Sequence, residues 1–264
     1  MNGTPEDRAG HRSWMRWLGH ATTLISDRGT AVLTDPVLTA RVAHLRRRRG
    51  PIPDDAVVAA ADVVALSHLH ADHLHLPSLR MLDGDVPIVL PRHAPDALPS
   101  LREFGARLIE VDAGDEVPMG DVVIRVVPAE HDGRRWRRGQ HLTSALGYIV
   151  VGDSTTYFAG DTDLYADLGD WVREPDLALL PVGGWGPTLG AGHLNPVRAV
   201  TAAEMIGARR AVPIHYGTLW PIGLDRMRPG LFHDPGAEFV REAVEHGVAA
   251  TELAPGDRIV IGDD

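Results

Sequence analysis

The stretch Ser67-His68-Leu69-His70-Ala71-Asp72-His73 constrains this chain more than any other. It follows residues 62–66, a compact β-branched and aliphatic run bounded by polar residues, which has the length and composition of a buried strand. Four side chains able to bind a metal ion then fall within six residues, where a strand should give way to a loop. Strand-like alternation sets His68 and His70 on one side and turns Asp72 and His73 elsewhere, so one loop could serve two adjacent ions.

The chain has no cysteine, so any such ion must be held by nitrogen and oxygen donors. Its 264 residues, 44% of them apolar, are enough for one large domain with a sizeable core, expected here over 13–264 behind a polar, flexible terminus at 1–12. That terminus lacks the apolar segment of a secretion signal, and no apolar run is long enough to cross a bilayer, so a cytoplasmic protein is expected. A formal charge of −10 weighs against a nucleic-acid-binding surface. Two basic clusters stand out against it, Arg46 to Arg49 and the set Arg134, Arg135, Arg137 and Arg138. The first reads as a solvated loop.

Short alternating runs at 14–18, 21–26 and 31–34, separated by turn signals, predict three antiparallel strands. Residues 41–56, rich in arginine and carrying Pro51 and Pro53, predict a lid or loop excursion. Beyond the histidine stretch, strands are expected at 87–91, 107–111, 121–127, 145–151, 155–159, 176–180, 211–214 and 258–261. Helices are expected at 77–82 and 94–104. Asn195-Pro196 and Asp234-Pro235 each pair an N-cap residue with a proline at the first helical position, opening helices to about Ile206 and His246. The two successive halves predict two sheets packed face to face with helices outside.

Three isolated candidates follow predicted strands: His131, Asp161 and His215. Strand ends in a layered α/β domain can converge on one edge. The order H-x-H-x-D-H, then His, then Asp after Phe-Ala-Gly, then a final His resembles the metallo-β-lactamase-fold superfamily, from Trp14 nearly to the end of the chain. The strings Trp17-Leu18-Gly19-His20-Ala21-Thr22, Thr34-Asp35-Pro36, Gly160-Asp161-Thr162 and Pro213-Ile214-His215-Tyr216-Gly217-Thr218 are similar to the branch containing ascorbate-phosphate lactonases and N-acyl-phosphatidylethanolamine phospholipase D. The resemblance implies a four-layer αββα sandwich. It implies one metal held by His68, His70 and His131, a second by Asp72, His73 and His215, and Asp161 bridging. Asp72 is also a catalytic candidate. His193, just before the helix at Asn195, corresponds to a histidine near the metals in that branch and is a candidate for substrate contact or proton transfer. His20 and Asp35 fall in the branch's N-terminal signatures and are expected to orient the ligands.

Imidazole and carboxylate suit two divalent ions, zinc first, with manganese or iron compatible. Such a pair can share and acidify a water. Arg134 and Arg135 follow His131 closely and carry the fork geometry that binds phosphate, which makes them substrate-binding candidates. The resembled phospholipases place an aromatic residue after the third histidine, where this chain has Asp132-Gly133, and this points away from a phospholipid. Trp185, Tyr216 and Trp220 are candidate pocket residues or packing residues. The expected activity is hydrolysis of a phosphodiester, lactone or small ester, with a small molecule as partner. An iron-dependent oxygen-using enzyme and a non-catalytic metal-binding or sensing domain are the alternatives. An oligomer is compatible with the sequence.

Overall fold

The computed structural model describes residues 12–135, 143–186, 188–224 and 227–262. The expected flexible terminus, apart from Arg12, lies outside the described residues, as do Arg137 and Arg138.

The three early alternating runs form β1 (Trp14–Gly19), β2 (Thr22–Asp27) and β3 (Thr30–Thr34), an antiparallel meander. The chain then makes β4 (Arg41–Val42), β5 (Leu45–Arg47) and α1 (Asp55–Ala59), whose first turn is capped by the Asp54 carboxylate on the Val57 N–H. After them come β6 (Val63–Ala65), α2 (Leu76–Leu79), β7 (Ile88–Pro91), α3 (Ala94–Ala97) and β8 (Leu108–Val111). The second half runs β9 (Glu116–Met119), β10 (Val122–Pro128), β11 (Leu146–Val151), β12 (Thr155–Phe158), α4 (Leu168–Trp171), β13 (Leu177–Pro181) and α5 (Pro196–Met205). It closes with β14 (Ala211–Ile214), β15 (Leu219–Pro221), α6 (Pro229–His233), α7 (Pro235–Glu245) and β16 (Arg258–Val260).

One sheet has the order β16-β1-β2-β3-β6-β7-β8, the other β14-β13-β12-β11-β10-β9. Alternation along the first sheet divides its side chains between two layers. Met15, Trp17, Ile25, Val32, Val63, Ala65 and Val89 join the core shared with the second sheet. Their neighbours Leu24, Leu33, Val64, Leu66, Ile88 and Leu90 pack instead with Val57, Val58, Leu79, Leu101 and Phe104 from the flanking helical segments. On the far side of the second sheet lie Ala199 and Ala203 of α5 and Phe239 and Ala243 of α7. The four layers are therefore helix, sheet, sheet, helix, as expected. Among the described residues no helix is long and apolar enough to cross a membrane.

Parallel register carries the functional consequence. β3 pairs β6 in parallel, with Thr34 beside Ala65, so the chain leaves both strands at one edge, at Asp35 and at the histidine stretch. β12, β13 and β14 are likewise parallel, with Phe158 beside Leu179 and Pro181 beside Ile214. Their exits lead to Asp161, Gly183 and His215. β10 is antiparallel to β11, which is antiparallel to β12, so β10 also points to that edge and delivers His131.

Four expectations are corrected. Residues 41–47 are not a loop excursion: β4 and β5 form a hairpin that pairs with β15 in a third, small sheet around Val37, Val42, Leu45 and Leu219. The solvated reading of Arg46 to Arg49 fails at Arg47, which is buried with Nη1 donating to Leu18 O at 2.8 Å and Nη2 to Val37 O at 2.8 Å. The single helix at 94–104 is broken into α3 and a 3₁₀ segment, Pro99–Arg107. Pro99 forces Leu98 out of the helical region, to φ −134° and ψ 85°. Asn195 caps α5 through Oδ1 on the Arg198 N–H at 2.9 Å, whereas Asp234 makes no side-chain cap because α6 runs directly into α7.

Candidate metal centre

The histidine stretch is anchored at its first residue. Ser67 O accepts from Leu146 N at 2.9 Å, which ties the loop to the second sheet. Ser67 N donates to Asp35 Oδ1 at 2.7 Å and Ser67 Oγ to Asp35 Oδ2 at 2.5 Å. On the other side Gly160, at φ +62°, brings the chain so close that an added Cβ would lie 2.7 Å from Ser67 Cβ. Only glycine permits this approach, and it delivers Asp161 into the edge.

Two groups of donors result. His68 Nε2, His70 Nδ1 and His131 Nε2 converge, with His70 Nδ1 at 2.9 Å from His68 and 3.2 Å from His131. Asp72, His73 and His215 form the second group, completed by His20. His73 Nε2 is 3.0 Å from His215 Nε2, and Asp72 Oδ2 is 3.6 and 3.7 Å from those two nitrogens. Asp161 stands between the groups. Its Oδ2 is 3.2 Å from His73 Nε2 and 4.0 Å from both His68 and His131 Nε2, and its Oδ1 is 3.2 Å from His215 Nε2.

The opposite ring nitrogens show what these inward atoms are. His131 Nδ1 donates to Gly192 O at 2.7 Å and His215 Nδ1 to Gly183 O at 2.9 Å. His68 Nδ1 donates to Ser67 Oγ at 3.0 Å, whose own proton is committed to Asp35. In a neutral imidazole, protonation at Nδ1 leaves Nε2 a lone pair. Lone pairs of His68 and His131 thus point inward at one another and toward the buried Asp161 carboxylate, whose Oδ1 has no hydrogen-bond partner. Lone pairs and an anionic oxygen converging in a buried space are stable around a cation, so the donor set fits divalent metal binding.

The electrostatics agree. Burial lowers the pKa of His68 well below its ordinary value and that of His70 to about 4, so both are neutral donors near pH 7. Burial alone would raise Asp72 and Asp161. The facing histidines overcome it, His73 and His20 for Asp72 and His215 and His73 for Asp161, and both carboxyls lie well below the ordinary range. His73 is the counterpart: burial pulls it down, but Asp161, Asp35 and Asp72 raise it well above its ordinary value. The three carboxylates thus favour a positive charge at this position.

His20 and Asp35 sit where ligand-orienting residues would. Asp35 Oδ2 accepts from His73 Nδ1 at 2.6 Å, and His20 Nε2 contacts Asp72 Oδ2 at 2.8 Å. His20, Asp35 and His215 all adopt positive φ, at 55°, 33° and 62°. Backbone strain at three non-glycine residues of one site is tolerated only when the surroundings impose it. His193 Nε2 is 3.3 Å from Asp161 Oδ2, and its Nδ1 lies 3.2 Å from the carbonyls of Gly190 and Ala191. Burial lowers its pKa, but the contact with Asp161 raises it to about 8.

The arginines are placed otherwise than as bare phosphate receptors. Arg134 forks onto its neighbour Asp132 at 2.7 and 2.6 Å. Arg135 Nη1 donates to Leu69 O and Leu74 O, both at 2.9 Å, and so braces the histidine loop from either end. Of the aromatic candidates, Tyr216 and Trp220 are core residues, the former stacked on Trp17 at 5.3 Å, and Trp185 is exposed. Sequence reasoning missed Ser67, whose hydroxyl relays between Asp35 and His68, and Thr22, whose hydroxyl donates to Asp35 O and accepts from Val37 N. Thr22 lay within the string Trp17-Leu18-Gly19-His20-Ala21-Thr22, which was a usable signal; Ser67 had none beyond adjacency.

Comparison with known proteins agrees with this geometry. Residues 30–216 match the family described as the beta-lactamase superfamily domain. An uncharacterized protein of Mycobacterium tuberculosis is 30% identical over 263 residues, covering 92% of this chain and 67% of its own. A metal-dependent hydrolase of Thermus thermophilus is 29% identical over 248 residues, covering 92% of this chain and 96% of its own. The N-acyl-phosphatidylethanolamine-hydrolyzing phospholipase D 1 of Caenorhabditis elegans is 28% identical over 231 residues, covering 78% and 64%. Among solved structures, a metallo hydrolase from Ignicoccus hospitalis superposes with a TM-score of 0.72 at 20% identity, covering 96% of this chain and 99% of that one. The diiron beta-hydroxylase CmlA of Streptomyces venezuelae gives 0.68 at 16%, covering 96% and 54%. The chain belongs to the metallo-β-lactamase-fold superfamily.

Proposed function

We propose that this chain is a metal-dependent hydrolase with a dinuclear centre, acting on a small ester, lactone or phosphodiester. The observation that carries this reading is the convergence of two imidazole groups on opposite sides of the buried Asp161. His68, His70 and His131 would hold one ion, Asp72, His73 and His215 the other, and Asp161 would bridge them. Nitrogen and oxygen donors without thiolate suit zinc, and also manganese or iron. Two such ions, when bound, acidify a shared water and polarise the attacked oxygen.

The chain's own residues supply the rest. Asp72, ionised and held by His20 Nε2, is the acceptor for the proton of the attacking water. Asp35 keeps the proton of His73 on Nδ1, so that Nε2 faces the centre. His193 is held beside Asp161 by the Gly190 and Ala191 carbonyls. It is the donor to the departing oxygen.

The test is elemental analysis of protein purified without added metal, followed by a hydrolysis panel of esters, lactones and phosphodiesters. About two zinc or manganese ions per chain with turnover of one class supports the reading. Iron with oxygen consumption would replace it with oxygen chemistry, the chemistry for which CmlA is named on a similar fold. Failure to bind metal even after zinc is added back would leave a non-catalytic domain.

A further inference from the structure

The loop that leaves β13 touches three histidines of the centre with its backbone. Gly183 O accepts from His215, Gly192 O accepts from His131, and the carbonyls of Gly190 and Ala191 hold His193. Between those contacts Trp185 is 36% exposed and Leu189 39% exposed. Across from them stands the tight β4–β5 hairpin. Val42 pairs with Leu45, so only Ala43, at φ 47°, and His44 make the turn. His44 meets Trp185 edge to face, ring centroids 5.1 Å apart. Ile222, 53% exposed, is fastened to the same turn by its N–H on His44 O at 3.2 Å.

An exposed tryptophan, a histidine ring and two aliphatic side chains, grouped around the loop whose backbone carbonyls hold His131, His193 and His215, have the composition of a ligand site's apolar wall. None of the four belongs to the donor groups around Asp161. Meanwhile Arg134 is forked to Asp132 and Arg135 is spent on loop carbonyls. The two arginines expected to receive phosphate are therefore engaged by groups of this chain.

Resting on the hydrolase reading above, we propose that Trp185 and His44, flanked by Leu189 and Ile222, recognise an uncharged aromatic or apolar substituent of the substrate. The substrate is then an ester or lactone bearing such a group beside the bond that is cleaved. The two rings stand nearly perpendicular, at 79°, a pair against which an aromatic or apolar group can pack.

The test separates recognition from metal binding. Acetohydroxamate and benzohydroxamate chelate a divalent ion through the same two oxygens and differ only in carrying a methyl or a phenyl group. Calorimetric titration of both into zinc-loaded protein should show benzohydroxamate binding roughly tenfold tighter or more. In Trp185→Ala, and separately in His44→Ala, that ratio should fall toward one at unchanged zinc content. Equal affinities in the unsubstituted protein, or a ratio untouched by both substitutions, would overturn the proposal. If zinc-loaded protein binds neither hydroxamate, the metal-centre reading itself falls and the proposal with it.

Discussion

His73 Nδ1 and Asp35 Oδ2 meet at 2.6 Å with both side chains fully buried, and the same carboxylate takes two hydrogen bonds from Ser67. One aspartate at the end of β3 therefore fixes the tautomer of a residue at the far end of the histidine stretch and the position of the residue that opens it. Asp35→Ala removes both constraints and leaves the Ser67 N–H and His73 Nδ1–H without their acceptor. Zinc affinity should fall by about 10–100-fold, read by competition with a chromogenic chelator. Unchanged affinity would show that Asp35 serves packing alone.

Asp161→Asn removes the negative charge between the two imidazole groups while keeping the side chain's size. Metal content after dialysis should fall from about two ions per chain to one or fewer, and hydrolysis should drop by at least about a hundredfold. Retention of two ions would refute the bridging role.

Gly160→Ala tests whether the approach of β12's exit to the histidine loop is needed. The new methyl would meet Ser67 Cβ at 2.7 Å from a backbone at φ +62°. Thermal stability should fall by about 1–3 kcal/mol, with weakened metal retention because Asp161 and Ser67 both shift. A fully stable variant with normal zinc content would remove the argument.

Acid should destabilise the metal-free protein before it reaches the carboxylates. Burial holds His70 at about 4 and His20 at about 3, so both are neutral when folded but take protons once unfolded below about 6.5. The unfolded chain then binds more protons, and stability falls as pH drops from about 6.5 to about 4. His73 opposes this, because its raised value stabilises the fold at low pH and that contribution is lost as pH rises. His68 and His131, both lowered, side with His70 and His20. The depressed Asp72 and Asp161 add a further loss below about 4. Differential scanning calorimetry with chelator should show Tm at pH 5 roughly 4–8 °C below that at pH 7, or about 2 kcal/mol. A flat profile would contradict the neutral state of these histidines.

The donors could be read from the sequence because each is a rare residue type at a strand exit, and strand exits share an edge when register is parallel. The two-group division was visible in the alternation of His68 and His70 against Asp72 and His73. What escaped was long-range. Nothing local tells that Arg47 is buried while Arg46 and Arg48 are exposed, because the reason is the Leu18 and Val37 carbonyls across the fold. Nothing local pairs His44 with Trp185, far apart in the chain. The broken helix at 94–104 was legible after all: Pro99 disfavours a helical Leu98, and helical spacing was allowed to outweigh that.

The hairpin of β4 and β5 makes only a few strand pairings, and its turn is two residues long. The residues around Asp161, by contrast, hang from strands locked into two large sheets. On the recognition proposed above, a substitution in that two-residue turn would alter which molecules are admitted and leave the strands that carry Asp161 in place.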